Sequence, residues 1–125
     1  MSLWKDLFAI AVTMTVLDSV YLQSFKSYYT NQIESVQKSK VKFNMVGAVA
    51  CYLFLVLGLY YFIIHAKKSV MDAFFLGIVI YSVFELTNYA IFSNWSFKSV
   101  MIDTTWGGIL FALTTKIVYM IQKYV

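Results

Sequence analysis

Four apolar runs, each long enough to cross a bilayer, constrain this chain more than any other feature. A transmembrane helix needs about 20 mostly apolar residues. Runs of that kind cover roughly residues 4–22, 44–65, 73–92 and 100–121. A soluble fold of 125 residues has nowhere to put them: with 61% hydrophobic and 13% charged residues, it lacks the polar side chains to clothe such a core. The sequence therefore predicts an all-α, multi-pass integral membrane protein. It is read as a single transmembrane domain over residues 1–125, built as a four-transmembrane-helix bundle with the lipid bilayer as its first partner. The first run reads as an uncleaved span, because Tyr21, Leu22 and Gln23 follow it where a signal-peptide cleavage site needs small residues.

Four spans put both termini on one side of the membrane, here side one. The loops after spans one and three then lie on side two. Between spans one and two, Phe25, Tyr29, Ile33 and Val36 recur at helical spacing. That spacing predicts an amphipathic interfacial helix or an extension of span one; a solvated connecting loop is the competing reading. Lys38, Lys40 and Lys42 follow, and near anionic headgroups each lysine contributes ~1 kcal/mol. Trp4 and Trp95 suit the membrane–water boundary. Gly47 and Gly58 in span two, Gly77 in span three and Gly107 in span four offer small surfaces for close helix packing. Asp72, just ahead of span three, reads as a helix N-cap. Side one carries Lys5, Lys67, Lys68, Lys116 and Lys123, and side two carries Lys26, Lys38, Lys40, Lys42 and Lys98. With the lysines split equally, the positive-inside rule does not fix the orientation. Lysines scattered over loops and tails, with no single basic stripe, argue against a nucleic-acid partner. Cys51 is the lone cysteine, so there is no intrachain disulfide and no CxxC site; no metal and no cofactor are expected.

The chemistry-bearing residues are those that interrupt the apolar runs. Asp18 sits in span one. Gly77, Tyr81, Glu85 and Asn88 follow at spacings of four, four and three in span three, so they share a helix face. Asp103 and Trp106 share a face of span four with Gly107. With a rise of ~1.5 Å per residue, Asp18 lies roughly 20 Å and Glu85 roughly 18 Å from side one, and Asp103 and Trp106 fall at roughly 21–26 Å. Three helices thus place carboxyls in the same half of the bilayer. Polar groups at that depth are costly and mark functional sites by default. They also serve as interhelical glue, which is the structural alternative.

The same residues carry a family resemblance. The run D-A-F-x-L-G at Asp72 to Gly77, then Y-x-x-x-E-L-T-N-Y-A at Tyr81 to Ala90, then Trp95 and D-x-x-W-G at Asp103 to Gly107, resembles a bacterial and viral family of predicted membrane proteins known as domain of unknown function 2177. Asp18-Ser-Val-Tyr-Leu and the later Tyr28-Tyr29 are similar to that family's first segment. The chain departs from the family pattern at Glu85, where the pattern has Asp, and at Ser96, where it has proline. The resemblance implies four spans and no known activity.

The residues point first to proton-linked transport or ion permeation, with Asp18, Glu85, Asn88, Asp103, Trp106 and Tyr81 as a proton, cation or substrate pocket. Four short helices rarely enclose a pathway alone, so this reading expects a homo-oligomer. The alternatives are a membrane-embedded acid–base enzyme or binder of a lipid or small apolar ligand, and a structural or assembly protein. A nucleophilic hydrolase does not fit, since His65 lies on side one, far in depth from the acidic residues.

Overall fold

In the computed structural model, which describes residues 1–124, five α-helices follow one another with no strand among the described residues. They are α1 (Leu3–Ser24), α2 (Lys26–Gln37), α3 (Met45–Leu59), α4 (Val70–Ile91) and α5 (Phe97–Tyr124), and a π-helical turn at Tyr60–Ile64 prolongs α3. Four of these, counting α3 with its π turn, are long and apolar enough to span a bilayer. Their outer faces are apolar: Trp4, Phe8, Val46 and Phe54 are each at least 72% exposed. Surfaces of that kind belong against lipid and not water. The chain is a four-helix membrane bundle.

Local chemistry sets the helix starts. Ser2 caps α1 by accepting from the Lys5 N–H (3.3 Å), and Asn44 caps α3 by accepting from the Gly47 N–H (3.1 Å). At α4 the cap is Ser69, not Asp72. The Ser69 hydroxyl accepts from the Asp72 N–H (3.0 Å), and the Asp72 carboxylate accepts in return from the Ser69 N–H (3.4 Å). Asp72 therefore closes a capping box from the third helical position. The Ser96 hydroxyl accepts from the Ser99 N–H (3.1 Å) at the start of α5, a role that accounts for serine at this corner.

α5 is the central helix, packed between α4 and α1, and α3 leans on α1. The α4–α5 pair is the tightest. A methyl group at Gly77 would overlap the Gly107 carbonyl, and one at Gly108 would press on Phe74 and Ile78. Gly107 makes room for the ring of Tyr81. The small residues let these two backbones touch. Gly47 and Gly58 do not share in this: a methyl group at Gly47 meets only its own cap Asn44, and one at Gly58 meets nothing within 4 Å.

The dry core lies toward side one, around Ile10, Met14, Leu59, Ile63, Leu110 and Phe111. The buried residues of α3 and its π turn, Val56, Leu59, Ile63 and Ile64, all fall in that half. Between Met45 and Leu55 no residue of α3 is buried. α3 is thus seated at side one and stands off the bundle at side two. The seat is fastened by Tyr119 of α5, whose hydroxyl is shared between the carbonyls of Lys68 (2.6 Å) and Ile63 (3.3 Å) at the π turn. Tyr119→Phe is expected to destabilise the fold by about 1 kcal/mol, the usual net worth of one such bond, read as a small fall in melting temperature in detergent.

α2 continues α1 after a kink at Phe25 and folds onto the corner between α4 and α5. Phe25, Tyr29, Ile33 and Val36 are half-buried, as are Tyr28, Thr30, Gln32 and Glu34, while Lys26, Asn31 and Ser35 are exposed. The Tyr28 hydroxyl bonds the hydroxyls of Ser96 (3.0 Å) and Ser99 (2.9 Å), Lys98 lies over the Tyr28 ring, and the Asn94 amide donates to the Ser35 carbonyl (3.0 Å). The helix caps the side-two end of the bundle.

Candidate functional site

Two short patterns on antiparallel helices interlock beneath that cap. α1 carries Asp18 and, three residues on, Tyr21; α5 carries Asp103 and, three residues on, Trp106. Residues three apart share a helix face. Because the helices run in opposite directions, each aspartate meets the other helix's aromatic. Trp106 Nε1 donates to Asp18 Oδ1 (2.8 Å), and the Tyr21 hydroxyl donates to Asp103 Oδ1 (3.2 Å). Between them the Tyr21 and Trp106 rings stack, with centroids 4.7 Å apart and planes 4° from parallel. Stacking of this kind adds about 0.5–1.5 kcal/mol beyond area burial.

The network reaches the other elements through aromatic groups. The Tyr52 hydroxyl of α3 donates to Asp18 Oδ2. From α2, the Tyr29 hydroxyl bonds that of Tyr21 (2.5 Å), and burial pushes the pKa of the Tyr29 phenol up, so this group remains neutral. On α4, Glu85 is 1% exposed and lies beside the Asp103 carboxyl. Its Oε1 accepts from Trp95 Nε1 (2.9 Å), in the loop before α5. Four spans, α2 and the α4–α5 loop therefore converge on three carboxyls.

Among the described residues, every hydrogen-bond donor to these carboxyls belongs to an aromatic side chain: Tyr52 and Trp106 on Asp18, Tyr21 on Asp103, and Trp95 on Glu85. Neutral donors satisfy lone pairs but cancel no charge. Glu85 lies beside Asp103 across the α4–α5 interface, and no cation pairs with either carboxyl among the described residues.

Asp103 is accessible from one side. Where α3 stands away from α4, a cleft of about 250 Å³ is lined by Cys51, Leu55, Ile80, Tyr81, Phe84 and Asp103. Phe84 is 57% exposed and Cys51 is exposed, so the cleft opens sideways toward lipid. Its walls are apolar apart from the Tyr81 hydroxyl and the Cys51 thiol, and its floor carries a carboxyl.

Of the residues singled out in the sequence, Asp18, Glu85, Asp103 and Trp106 meet in this network, and Tyr81 lines the cleft beside it. Asn88 is half-buried on the same helix face, but no side-chain hydrogen bond joins it to the network among the described residues. Trp95 does more than mark the interface, since it holds Glu85. Tyr21, Tyr29 and Tyr52 were not among the expected site residues. The repeated pairing of an aspartate with an aromatic three residues on, in two spans of opposite direction, is the signal that would have found Tyr21. A further carboxyl, Asp6, is buried at side one and accepts from the Gln122 amide (2.9 Å).

Compared with known protein families, residues 3–120 match a family described as predicted membrane protein. No curated protein and no solved structure matches the chain.

Proposed function

The chain belongs to the family of predicted membrane proteins called domain of unknown function 2177, and from that premise we propose that it binds a small lipophilic molecule with a basic or hydrogen-bonding head, entering from lipid between α3 and α4, and exchanges a proton with it. The observation that carries this reading is the Asp103 carboxyl on the floor of an apolar lateral cleft, backed by the buried Glu85. An acidic group with no cation beside it in a low-dielectric pocket favours a ligand that brings its own positive charge or donor. Glu85 stands behind Asp103, and Trp95 fixes its orientation. Tyr21 donates to Asp103, so the carboxyl is aimed by a neutral phenol.

Proton-linked transport would use the same carboxyls. It needs a path through the side-one half, which in the single chain is packed by Ile10, Leu59, Leu110 and Phe111, so it calls for a second copy. The lateral cleft makes no such demand, and for that reason binding with acid–base chemistry is preferred.

The test is ligand-dependent stability. Purified protein in nanodiscs is melted with a panel of lipophilic amines and their neutral alcohol counterparts. A binder at about 100 times its Kd stabilises by about 2.7 kcal/mol. Amines are expected to raise the melting temperature of the unaltered protein and to lose that effect in Asp103→Asn. Equal responses to amines and alcohols, or an unchanged response in the variant, would remove Asp103 from the site.

A further inference from the structure

The stand-off of α3 leaves a second and larger opening on its other side, where Tyr52, the donor to Asp18, forms part of the wall. A groove of about 940 Å³ runs between α1 and α3, from Trp4 at side one to Leu22 and Phe43 at side two. Eighteen residues of helix separate Trp4 from Leu22, a rise of ~27 Å, so the groove follows nearly the whole hydrocarbon thickness. Ala11 and Ala48 keep it hollow.

The chemistry of this groove changes with depth in a definite order. Lys42 stands immediately before the lining residue Phe43 and Lys40 two residues earlier, and both are exposed. Their segment is held in place, because the Gln37 amide donates to the carbonyls of Ser39 (3.0 Å) and Lys40 (2.8 Å). Below them, about 7 Å inside the end of α1 by helical rise, the exposed Ser19 lines the groove, followed a turn deeper by the exposed Thr15. Beneath Thr15 the α1 wall continues as Ala11 and Phe8. Cation, then hydroxyl, then hydrocarbon is the order that an anionic phospholipid presents from headgroup through ester to acyl chain.

We infer that the side-two half of the α1–α3 groove is a binding site for an anionic phospholipid, with its phosphate at Lys40 and Lys42, its ester region at Ser19 and an acyl chain along Ala11 and Ala48. The charge of the mouth selects the headgroup. The wall of small residues admits the chain. The occupant also fills the space that leaves α3 without packing at side two, so a bound lipid braces α3 from this side while the Tyr52–Asp18 hydrogen bond holds it from within. The site is independent of the lateral cleft between α3 and α4.

The full chain, purified and supplied with equal amounts of phosphatidylglycerol and phosphatidylcholine of matched acyl chains, tests this by native mass spectrometry. The unaltered protein is expected to retain phosphatidylglycerol over phosphatidylcholine roughly tenfold or more, since each lysine near an anionic headgroup strengthens binding severalfold. The double variant Lys40→Gln, Lys42→Gln changes exposed side chains only and is expected to bring the two lipids near parity. Ala48→Phe fills the groove and is expected to reduce total lipid retained. Parity in the unaltered protein, or a preference that survives the double lysine variant, overturns the headgroup assignment. Should Ala48→Phe leave lipid retention unchanged but alter the oligomeric state, the groove is filled by a second copy and not by lipid.

Discussion

Gly77→Ala is expected to destabilise the bundle by about 2–3 kcal/mol, the upper range for overpacking, while Gly58→Ala leaves it unchanged or slightly more stable. Both substitutions add one methyl group to a membrane-spanning helix, and on helix propensity alone both should help by about 0.5–1 kcal/mol. Their surroundings decide otherwise. At Gly77 the added carbon falls on the backbone of α5, against the carbonyl of Gly107 and 3.0 Å from the Cα of Gly108. A backbone carbonyl cannot rotate aside as a side chain can, so α4 and α5 must separate. Separation loosens the seat of the Tyr81 ring on Gly107 and pulls Glu85 from Asp103, since those carboxyls reach across the same interface. At Gly58 nothing lies within 4 Å of the added carbon, and the methyl group simply faces lipid. Unfolding both variants by a titration of sodium dodecyl sulfate in one mixed micelle gives the comparison. Equal shifts would mean that the close approach at Gly77 is not what holds the pair.

That contrast shows where the sequence speaks and where it does not. The four spans were legible because lipid imposes a length and an apolarity that few other environments do, and the bundle has them at Leu3–Ser24, Met45–Ile64, Val70–Ile91 and Phe97–Tyr124. The shared depth of Asp18, Glu85 and Asp103 was legible too, because helical rise converts residue number into depth. Rotation of each helix about its own axis was not. Gly58 and Gly77 look alike in sequence, yet only Gly77 faces a neighbour. Asn88 shares a face with Glu85 but lies nearly a turn further along, beyond the reach of the network. Tyr21 and Tyr52 do not stand out in sequence, because a tyrosine in a membrane protein is ordinary at either interface; only the pairing of antiparallel helices turns them into the donors of Asp103 and Asp18. The stand-off of α3, which creates both the cleft and the groove, follows from which half of α3 finds partners. No residue of that helix announces it.

Glu85→Gln should fold, and Glu85→Leu should not fold well; the difference separates a carboxyl that binds helices together from one that moves a proton. Glutamine has the shape of glutamate and keeps a carbonyl oxygen where Trp95 Nε1 donates. Its amide N–H₂ can donate to the neighbouring Asp103 carboxyl. Stability is therefore expected to stay within about 1 kcal/mol of the unaltered protein. Leucine supplies neither group. It leaves the Trp95 N–H without its acceptor and the Asp103 carboxyl without its neighbour, in a site where Glu85 is 1% exposed. At about 1–3 kcal/mol for each unsatisfied group, the expected loss is about 2–4 kcal/mol. The amide differs from the acid in one respect that matters for function: it neither takes up nor releases a proton in the physiological range. If the pair exchanges a proton with a bound molecule, Glu85→Gln melts like the unaltered protein yet loses the pH dependence of the stabilisation by lipophilic amines. If Glu85 only ties α4 to α5, the variant keeps both its stability and the same pH response, and the functional reading of the acidic pair fails. Measuring the amine-induced shift in melting temperature across pH 5 to 9, on the order of the range in which proteins of this kind stay folded, decides between the two with a protein that remains intact in either case.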